Sequence, residues 1–291
     1  VASRSLPPYI TLESVKAFIS SALAEDIGEG DHSSMATVPE DAKARVRLLV
    51  KDEGIVAGVE LARRIYRQLD AGIRFEEEIA DGQVIRRGDV VFYAEGNARV
   101  LLTTERLILN SMQRMSGIAT VTRRLTTLLN GTRTQLLDTR KTTPNFRMME
   151  KWAVHIGGGL NHRVGLFDKI MIKDNHVDLA GGVKAALQKA IDYRKRTGKK
   201  LEIEVEVRTL EEVREALNAG GADILLLDNM PTASLKKAVA LIKGVCRSEA
   251  SGGITEKNLK EIAATGVDYI SMGALTHSVR SLDLSLKVVR K

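Results

Sequence analysis

The chain has 291 residues, 44% of them hydrophobic and 4% aromatic, with a formal net charge of +7, which is enough chain for two ordinary domains or a barrel with an appendage. No apolar run is long enough to span a membrane, the single cysteine Cys246 excludes an internal disulfide, and neither a zinc-ligand cysteine pattern nor a dense basic run with interleaved aromatics speaks for nucleic acid. The excess positive charge therefore calls for small anions, and Cys246, in apolar strand-like surroundings, is expected to be a buried thiol in the reducing cytoplasm.

Leu12, Val15, Phe18, Ile19, Ala22 and Leu23 recur at helical spacing and predict an amphipathic helix over residues 11–25, ending near Gly28-Glu29-Gly30. Strands are expected at residues 44–50 and 54–56, a helix at 59–69, and short strands at 73–79, 90–95 and 99–101. Asp81-Gly82, Arg87-Gly88-Asp89 and Glu95-Gly96-Asn97 mark tight turns between them, so this half reads as an α+β unit with an antiparallel sheet.

A helical pattern then runs from Thr103 to Leu129. Beyond it, short apolar runs at 135–137, 169–172, 201–207, 223–227, 244–246 and 269–272 alternate with helical stretches, the pattern of parallel strands joined by right-handed crossovers. A polar or small residue follows nearly every run: Asp138, Lys173, Glu206, Asp228, Ser251 and Gly273. A barrel gathers such C-terminal strand ends into one ring, whereas an open sheet scatters them, so the expected architecture is an α/β barrel of about six strands.

The first strand leads into Asp138-Thr139-Arg140-Lys141-Thr142-Thr143-Pro144-Asn145, two adjacent cations followed by a turn whose Asn145 tolerates positive φ. Gly157-Gly158-Gly159 precede Asn161-His162-Arg163, and Lys173-Asp174-Asn175-His176 ends the next strand. A lone histidine is more often structural than catalytic, and three glycines alone say little. Arg140, Lys141, His162, Arg163 and Lys173 together, however, form a density of potential cations that needs an anion: arginine forks suit carboxylates, and lysines serve as point charges for carboxylate or phosphate.

Glu202, Glu204 and Glu206 share one face of their strand. They belong either to a solvated edge or to a barrel interior, where Glu206, nearest the C-terminal end, is the functional candidate and Asp228 its partner. Two such carboxylates suit Mg²⁺, directly or through waters, or ribose hydroxyls. Ser251-Gly252-Gly253, ahead of a helix expected to begin near Glu256, and Gly273 after the sixth strand supply amide donors of the kind that bind phosphate.

With these residues in place, the chain resembles the quinolinate phosphoribosyltransferase family over essentially its whole length. The resemblance rests on Thr104-Glu105-Arg106 with Asn110 and Ser116-Gly117-Ile118-Ala119-Thr120; on Asp138-Thr139-Arg140-Lys141-Thr142 with Pro144; on Gly157-Gly158-Gly159 with Asn161-His162-Arg163; and on Ile172-Lys173-Asp174-Asn175-His176, Glu204-Val205-Glu206-Val207, Leu227-Asp228-Asn229 and Glu249-Ala250-Ser251-Gly252.

It implies an N-terminal α/β sandwich over residues 1–111, an incomplete α/β barrel over 112–275, and a C-terminal 276–291 that packs back on the first domain. It also implies transfer of phosphoribosyl from PRPP to quinolinate, with release of pyrophosphate and CO₂ and formation of nicotinate mononucleotide, in de novo NAD synthesis. Arg140, His162, Arg163 and Lys173 then match quinolinate-binding positions, and Lys141 lies between the substrates. Glu206 and Asp228 match positions around the PRPP ribose and Mg²⁺, while Ser251, Gly252, Gly253 and Gly273 lie near phosphate. The implied catalytic set is Lys141, Lys173, Glu206 and Asp228. The implied assembly is a homodimer, or an oligomer of dimers, in which Arg106 enters the neighbouring site. Lys173, Lys141 and His162 remain alternatives for the proton donor.

The chain departs from the family pattern at two places: Asn145, where glycine is usual after the proline, and His32-Ser33, where a threonine-containing version is common. A transferase acting on nicotinate without decarboxylation is the nearest rival; Arg140, Arg163 and Lys173 together favour two carboxylates over one.

Overall fold

The computed structural model describes residues 6–289 and divides into two compact units. The first comprises Val1–Arg123, Thr142–Gly158 and Leu275–Lys291, the second Arg124–Lys141 and Gly159–Ala274. Among the described residues no helix is long and apolar enough to cross a membrane.

In the first unit α1 (Leu12–Ile27) starts at a reciprocal cap. The Thr11 hydroxyl accepts from the Ser14 N–H and the Ser14 hydroxyl accepts from the Thr11 N–H, both at 3.0 Å. The helix buries Val15 and Ile19 and stops at Gly28, whose φ of 53° glycine adopts without steric cost. A short α2 (His32–Thr37), capped by Asp31, precedes β1 (Lys43–Val50), β2 (Gly54–Ile55), α3 (Val59–Leu69), β3 (Arg74–Glu77), β4 (Val84–Ile85) and β5 (Val90–Asn97).

α3 has glycine at its N-cap. The turn residue Asp81 does the capping instead, accepting from the N–H groups of Val59 (2.9 Å) and Glu60 (3.2 Å). Its buried face, with Val59, Leu61, Ala62, Ile65 and Tyr66, meets the antiparallel sheet through Tyr66, Phe75 and Phe92. The Phe75 and Phe92 ring centroids lie 4.6 Å apart. The strand Leu284–Val288 extends that sheet by pairing with β1 from Val46↔Val288 to Val50↔Leu284.

Residues 99–101, expected as strand, are helical. They lie in α4 (Ala98–Thr103), because the Asn97 side chain accepts from the N–H groups of Arg99 and Val100 and so caps a helix start. α5 (Glu105–Leu128) follows.

The remaining elements are β6 (Gln135–Leu137), α6 (Arg147–Gly157, in the first unit), β7 (Ile170–Ile172), α7 (Asp174–Ala180), α8 (Val183–Thr197), β8 (Ile203–Val207), α9 (Leu210–Ala219), β9 (Ile224–Asp228), α10 (Thr232–Ile242), β10 (Arg247–Ser251), α11 (Leu259–Ala263) and β11 (Tyr269–Ser271), with a 3₁₀ turn at Gly273–Leu275 and the strand described above as β12. The six strands of the second unit are parallel in the order β6-β11-β10-β9-β8-β7. β6 and β7 are edges that do not pair with each other, so the barrel is incomplete. Leu160 adds a single parallel bridge to β6 at Leu137, donating its N–H to Leu136 O (2.8 Å) and accepting from Asp138 N–H (3.2 Å).

The fifth barrel strand is Arg247–Ser251, not 244–246. Lys243 (φ 43°) and Gly244 (φ 77°) end α10 in left-handed conformations, and the true strand carries Arg, Glu and Ser on its interior face in place of an apolar run. Cys246 therefore sits half-buried in the turn before β10 and not in the core, its thiol pushed up by burial and by Asp268 and Asp223. The helix expected near Glu256 begins at Leu259.

Candidate active site

Parallel register turns the charged residues of β7 and β8 toward one another. Lys169, Met171 and Lys173 alternate on one strand and Glu202, Glu204 and Glu206 on the next, with Met171 paired to Glu204. Lys169 Nζ lies 3.1 Å from Glu204 and 3.6 Å from Glu202, and Lys173 Nζ lies 3.3 Å from Glu206. Each interior glutamate of β8 thus has a cation, which is what makes its burial tolerable.

Asp138, fully buried after β6, accepts from the His162 N–H (2.8 Å) and the Asn161 side-chain amide (2.7 Å). His162 is in turn gripped on both ring nitrogens. Nδ1 accepts from the Arg163 N–H (2.7 Å), which leaves the ring hydrogen on Nε2, 3.1 Å from one Glu204 oxygen and 3.6 Å from Glu249. Strands β8 and β10 are separated by β9, about 10 Å apart in a flat sheet. That both their glutamates reach one imidazole requires the sheet to curl around it. Arg163, 9% exposed, stands close enough to Arg140 that their repulsion is felt: burial and then Arg140 hold its guanidinium below the ordinary arginine value. An anion shared by two such forks relieves that repulsion.

Glu206 on β8 pairs with Leu226 on β9, and Asp228, two residues further along, projects from the same face. Asp228 accepts from the Asn229 side-chain amide at 2.8 Å, and the Asn229 N–H donates to Ser251 O at 2.8 Å, tying the end of β9 to that of β10. Asn229 takes φ 51°, and Gly252 (φ 89°) leaves no room for a Cβ, which would fall 2.3 Å from Asn229 Oδ1. Gly253 (φ 61°) continues the turn.

The structure thus brings together Arg140 with Arg163, Lys173 with Glu206, and Asp228 with Ser251 and Gly252. Lys141 is exposed, its N–H donating to the Thr139 hydroxyl at 3.1 Å. Gly273 opens the turn after β11. Glu206 lies inside its strand, and Asp228 and Ser251 are the last residues of theirs, where the sequence pattern sets each of them just beyond. Arg106, in the first unit, is exposed on α5 and makes no hydrogen bond or ion pair to any described residue. His176 has a local task, accepting the Lys173 N–H at 2.9 Å at the start of α7.

The sequence pattern gives no site role to Lys169, Glu204, Glu249 or Asn229, although the last three lie within the motifs quoted above. Alternation from Lys173 back to Lys169 signals the first, and Asn beside Asp at a strand end, where left-handed backbone is common, signals the last.

Cations, paired carboxylates and glycine turns at the C-terminal ends of an incomplete parallel barrel define a barrel enzyme that handles polyanionic sugar phosphates. Family models for the N-terminal and C-terminal domains of quinolinate phosphoribosyl transferase match residues 31–116 and 118–287. The chain is 44% identical to the chloroplastic nicotinate-nucleotide pyrophosphorylase [carboxylating] of Arabidopsis thaliana, over 97% of this chain and 85% of that one. It is 42% identical to the probable enzyme of the same name in Bacillus subtilis, over 94% and 93%. Among solved structures, NadC of Streptococcus pyogenes superposes with a TM-score of 0.88 at 38% identity, over 99% of this chain and 100% of that one. The nicotinate-nucleotide pyrophosphorylase of Francisella tularensis gives 0.87 at 38%, over the same shares. The chain belongs to the quinolinate phosphoribosyltransferase family, the decarboxylating enzymes that carry phosphoribosyl from PRPP to quinolinate in NAD biosynthesis.

Proposed function

We propose that Arg140, Arg163 and Lys173 bind the two carboxylates of quinolinate, with Lys141 between the substrates, and that Glu206, Asp228, Ser251, Gly252, Gly253 and Gly273 receive PRPP. The observation that carries this reading is the repulsive proximity of Arg140 and Arg163 at the end of β6 and the segment beside it. Asp138, His162 and the paired glutamates beneath hold the two forks in place, so the pocket is preorganised for a dianion.

The quinolinate ring nitrogen attacks the anomeric carbon, forming the N–C bond as the C–O bond to pyrophosphate breaks. The ring becomes a pyridinium, and loss of the carboxylate next to nitrogen leaves its electron pair on carbon, stabilised by the positive ring until a donor protonates it. His162 is a poor donor, since Nδ1 accepts a backbone hydrogen and Nε2 faces Glu204. Lys173 and Lys141 remain, and Lys173, set by Glu206, is the better placed.

Glu206 and Asp228 fit Mg²⁺. They are oxygen donors on one face of adjacent strand ends, and the Glu206 side chain is only 11% exposed with Lys173 as its one ion pair among the described residues. An ion held there by Glu206 and Asp228 would offset charge developing on the pyrophosphate leaving group. Arg106, exposed and without a hydrogen bond or ion pair among the described residues, fits the reading of a homodimer in which it completes the neighbouring site. The half-buried thiol of Cys246 suits a reducing compartment such as the cytoplasm.

The test is incubation with quinolinate, PRPP and Mg²⁺, followed by product identification. Nicotinate mononucleotide with one CO₂ per turnover supports the reading. Turnover of nicotinate in place of quinolinate, without CO₂, overturns it.

A further inference from the structure

Beneath the pocket lies a group that the mechanism does not use. Glu249, on β10, is fully buried, and neither carboxyl oxygen makes a hydrogen bond of ordinary geometry to any described residue. The charged groups that face it are Glu204 from β8, Lys169 from β7 and His162 from the segment beside β6. From β11 the Ser271 hydroxyl faces it, while Tyr269 is turned to Arg247; β9 presents apolar Leu226 at this level. Counted as ions, Glu204 has the Lys169 ammonium at 3.1 Å and the Arg163 guanidinium in electrostatic range, while among the described residues Glu249 has only the His162 ring within ion-pair distance, and that ring is neutral, its hydrogen on Nε2 and its Nδ1 accepting the Arg163 N–H. A net negative charge sealed in a barrel interior is costly, and one proton removes it.

The same tautomer argues against the other occupant this trio suggests. A metal ion on Nε2 would require the ring to give up its only hydrogen while Nδ1 still accepts one.

We propose that Glu249 is a carboxylic acid in the active protein, a positioning residue that keeps the floor of the quinolinate pocket neutral through His162 and Glu204, and that its ionisation weakens quinolinate binding. This deepens the substrate assignment above and rests on it. The two carboxyls divide the roles between them. Burial pushes Glu249 up to about 7, with Glu204 adding to the effect. For Glu204 burial also pushes upward, but the hydrogen bond from His162 and the charge and hydrogen bond of Lys169 outweigh it and hold that carboxylate below its usual range. Glu249 therefore carries its proton below neutrality and releases it above, placing a new negative charge under cations that must hold a dianion.

The experiment is steady-state kinetics of the full-length protein and Glu249→Gln from pH 6 to 9. In the wild type the KM for quinolinate should rise on the order of tenfold across the alkaline limb, with the KM for PRPP following no such limb. Glu249→Gln, neutral at every pH, should keep the low-pH KM and lose the limb. An unchanged limb in Glu249→Gln overturns the proposal. Absence of any nicotinate mononucleotide from the wild type at pH 6 overturns the substrate reading instead, so the two failures are told apart. If Glu249→Gln does not fold, infrared titration of the wild type decides: a buried carboxylic C=O band that disappears as pH rises through neutrality supports the assignment, and its absence at pH 6 overturns it.

Discussion

Arg163 is held by its own backbone, whose N–H fixes the His162 ring, while its guanidinium stands against that of Arg140. Removing it takes away one fork and relieves the other, so the loss falls on the dianion and not on the fold. Arg163→Ala should raise the KM for quinolinate on the order of a hundredfold, in keeping with the loss of one partner of a desolvated charge pair, with a much smaller change for PRPP. Steady-state kinetics varying each substrate check this, and equal rises in both constants would place Arg163 outside the dicarboxylate pocket. The cation cluster was legible in the sequence because charge density needs no coordinates. The role of His162 was not: whether an imidazole faces substrate or carboxylates depends on what β8 and β10 place around it. Asn145 shows the reverse case, for its φ of 61° is the turn conformation that its residue type and position suggest.

At the scale of elements, the ends of β9 and β10 act as one piece, because Asn229 bonds to Asp228 on one side and Ser251 on the other. A methyl group at position 252 collides with that asparagine. Gly252→Ala should therefore cost about 1–3 kcal/mol in chemical denaturation and raise the KM for PRPP about tenfold, as Asp228 loses its fixed orientation, while quinolinate binding in a direct titration stays within a factor of about two. A variant with normal PRPP kinetics would detach this turn from the sugar-phosphate site. Elements whose buried face is apolar, such as α1 and α3, were legible from periodicity. β10 was not, since the positions it turns into the barrel are Arg247, Glu249 and Ser251, and a strand with a polar interior face has no hydrophobic period to read. α4 escaped for a different reason: its start is decided by the Asn97 cap, and three apolar-flanked residues fit a strand equally well.

At the scale of the whole molecule, the two buried glutamates tie stability to pH in opposite senses. Glu249, raised from 4.5 to about 7, binds its proton more tightly in the folded chain; the stability it contributes is present below 4.5 and is lost as pH climbs through about 7. Glu204, lowered, contributes stability above 4.5 that is lost as pH falls through its folded value. Denaturant midpoints of the wild type should therefore decline between pH 5 and 8 more steeply than those of Glu249→Gln, and parallel curves would contradict the linkage. The proposed dimer makes a separate prediction. Arg106→Ala and Lys173→Ala chains, each inactive alone, should regain about a quarter of wild-type activity when refolded together in equal amounts, because half the dimers are mixed and one of their two sites is intact. No recovery would mean that Arg106 serves its own chain. The sequence by itself determined the two kinds of architecture, the cation-rich segment from Asp138 to His176 and the family, because composition, spacing and ordered motifs are properties of the chain as written. The tertiary structure alone decided that Glu204 and Glu249 share one histidine, that Asp81 caps a helix distant in sequence, and that Asn229 clamps two strand ends, because each depends on curvature and register bringing together residues that no local pattern links.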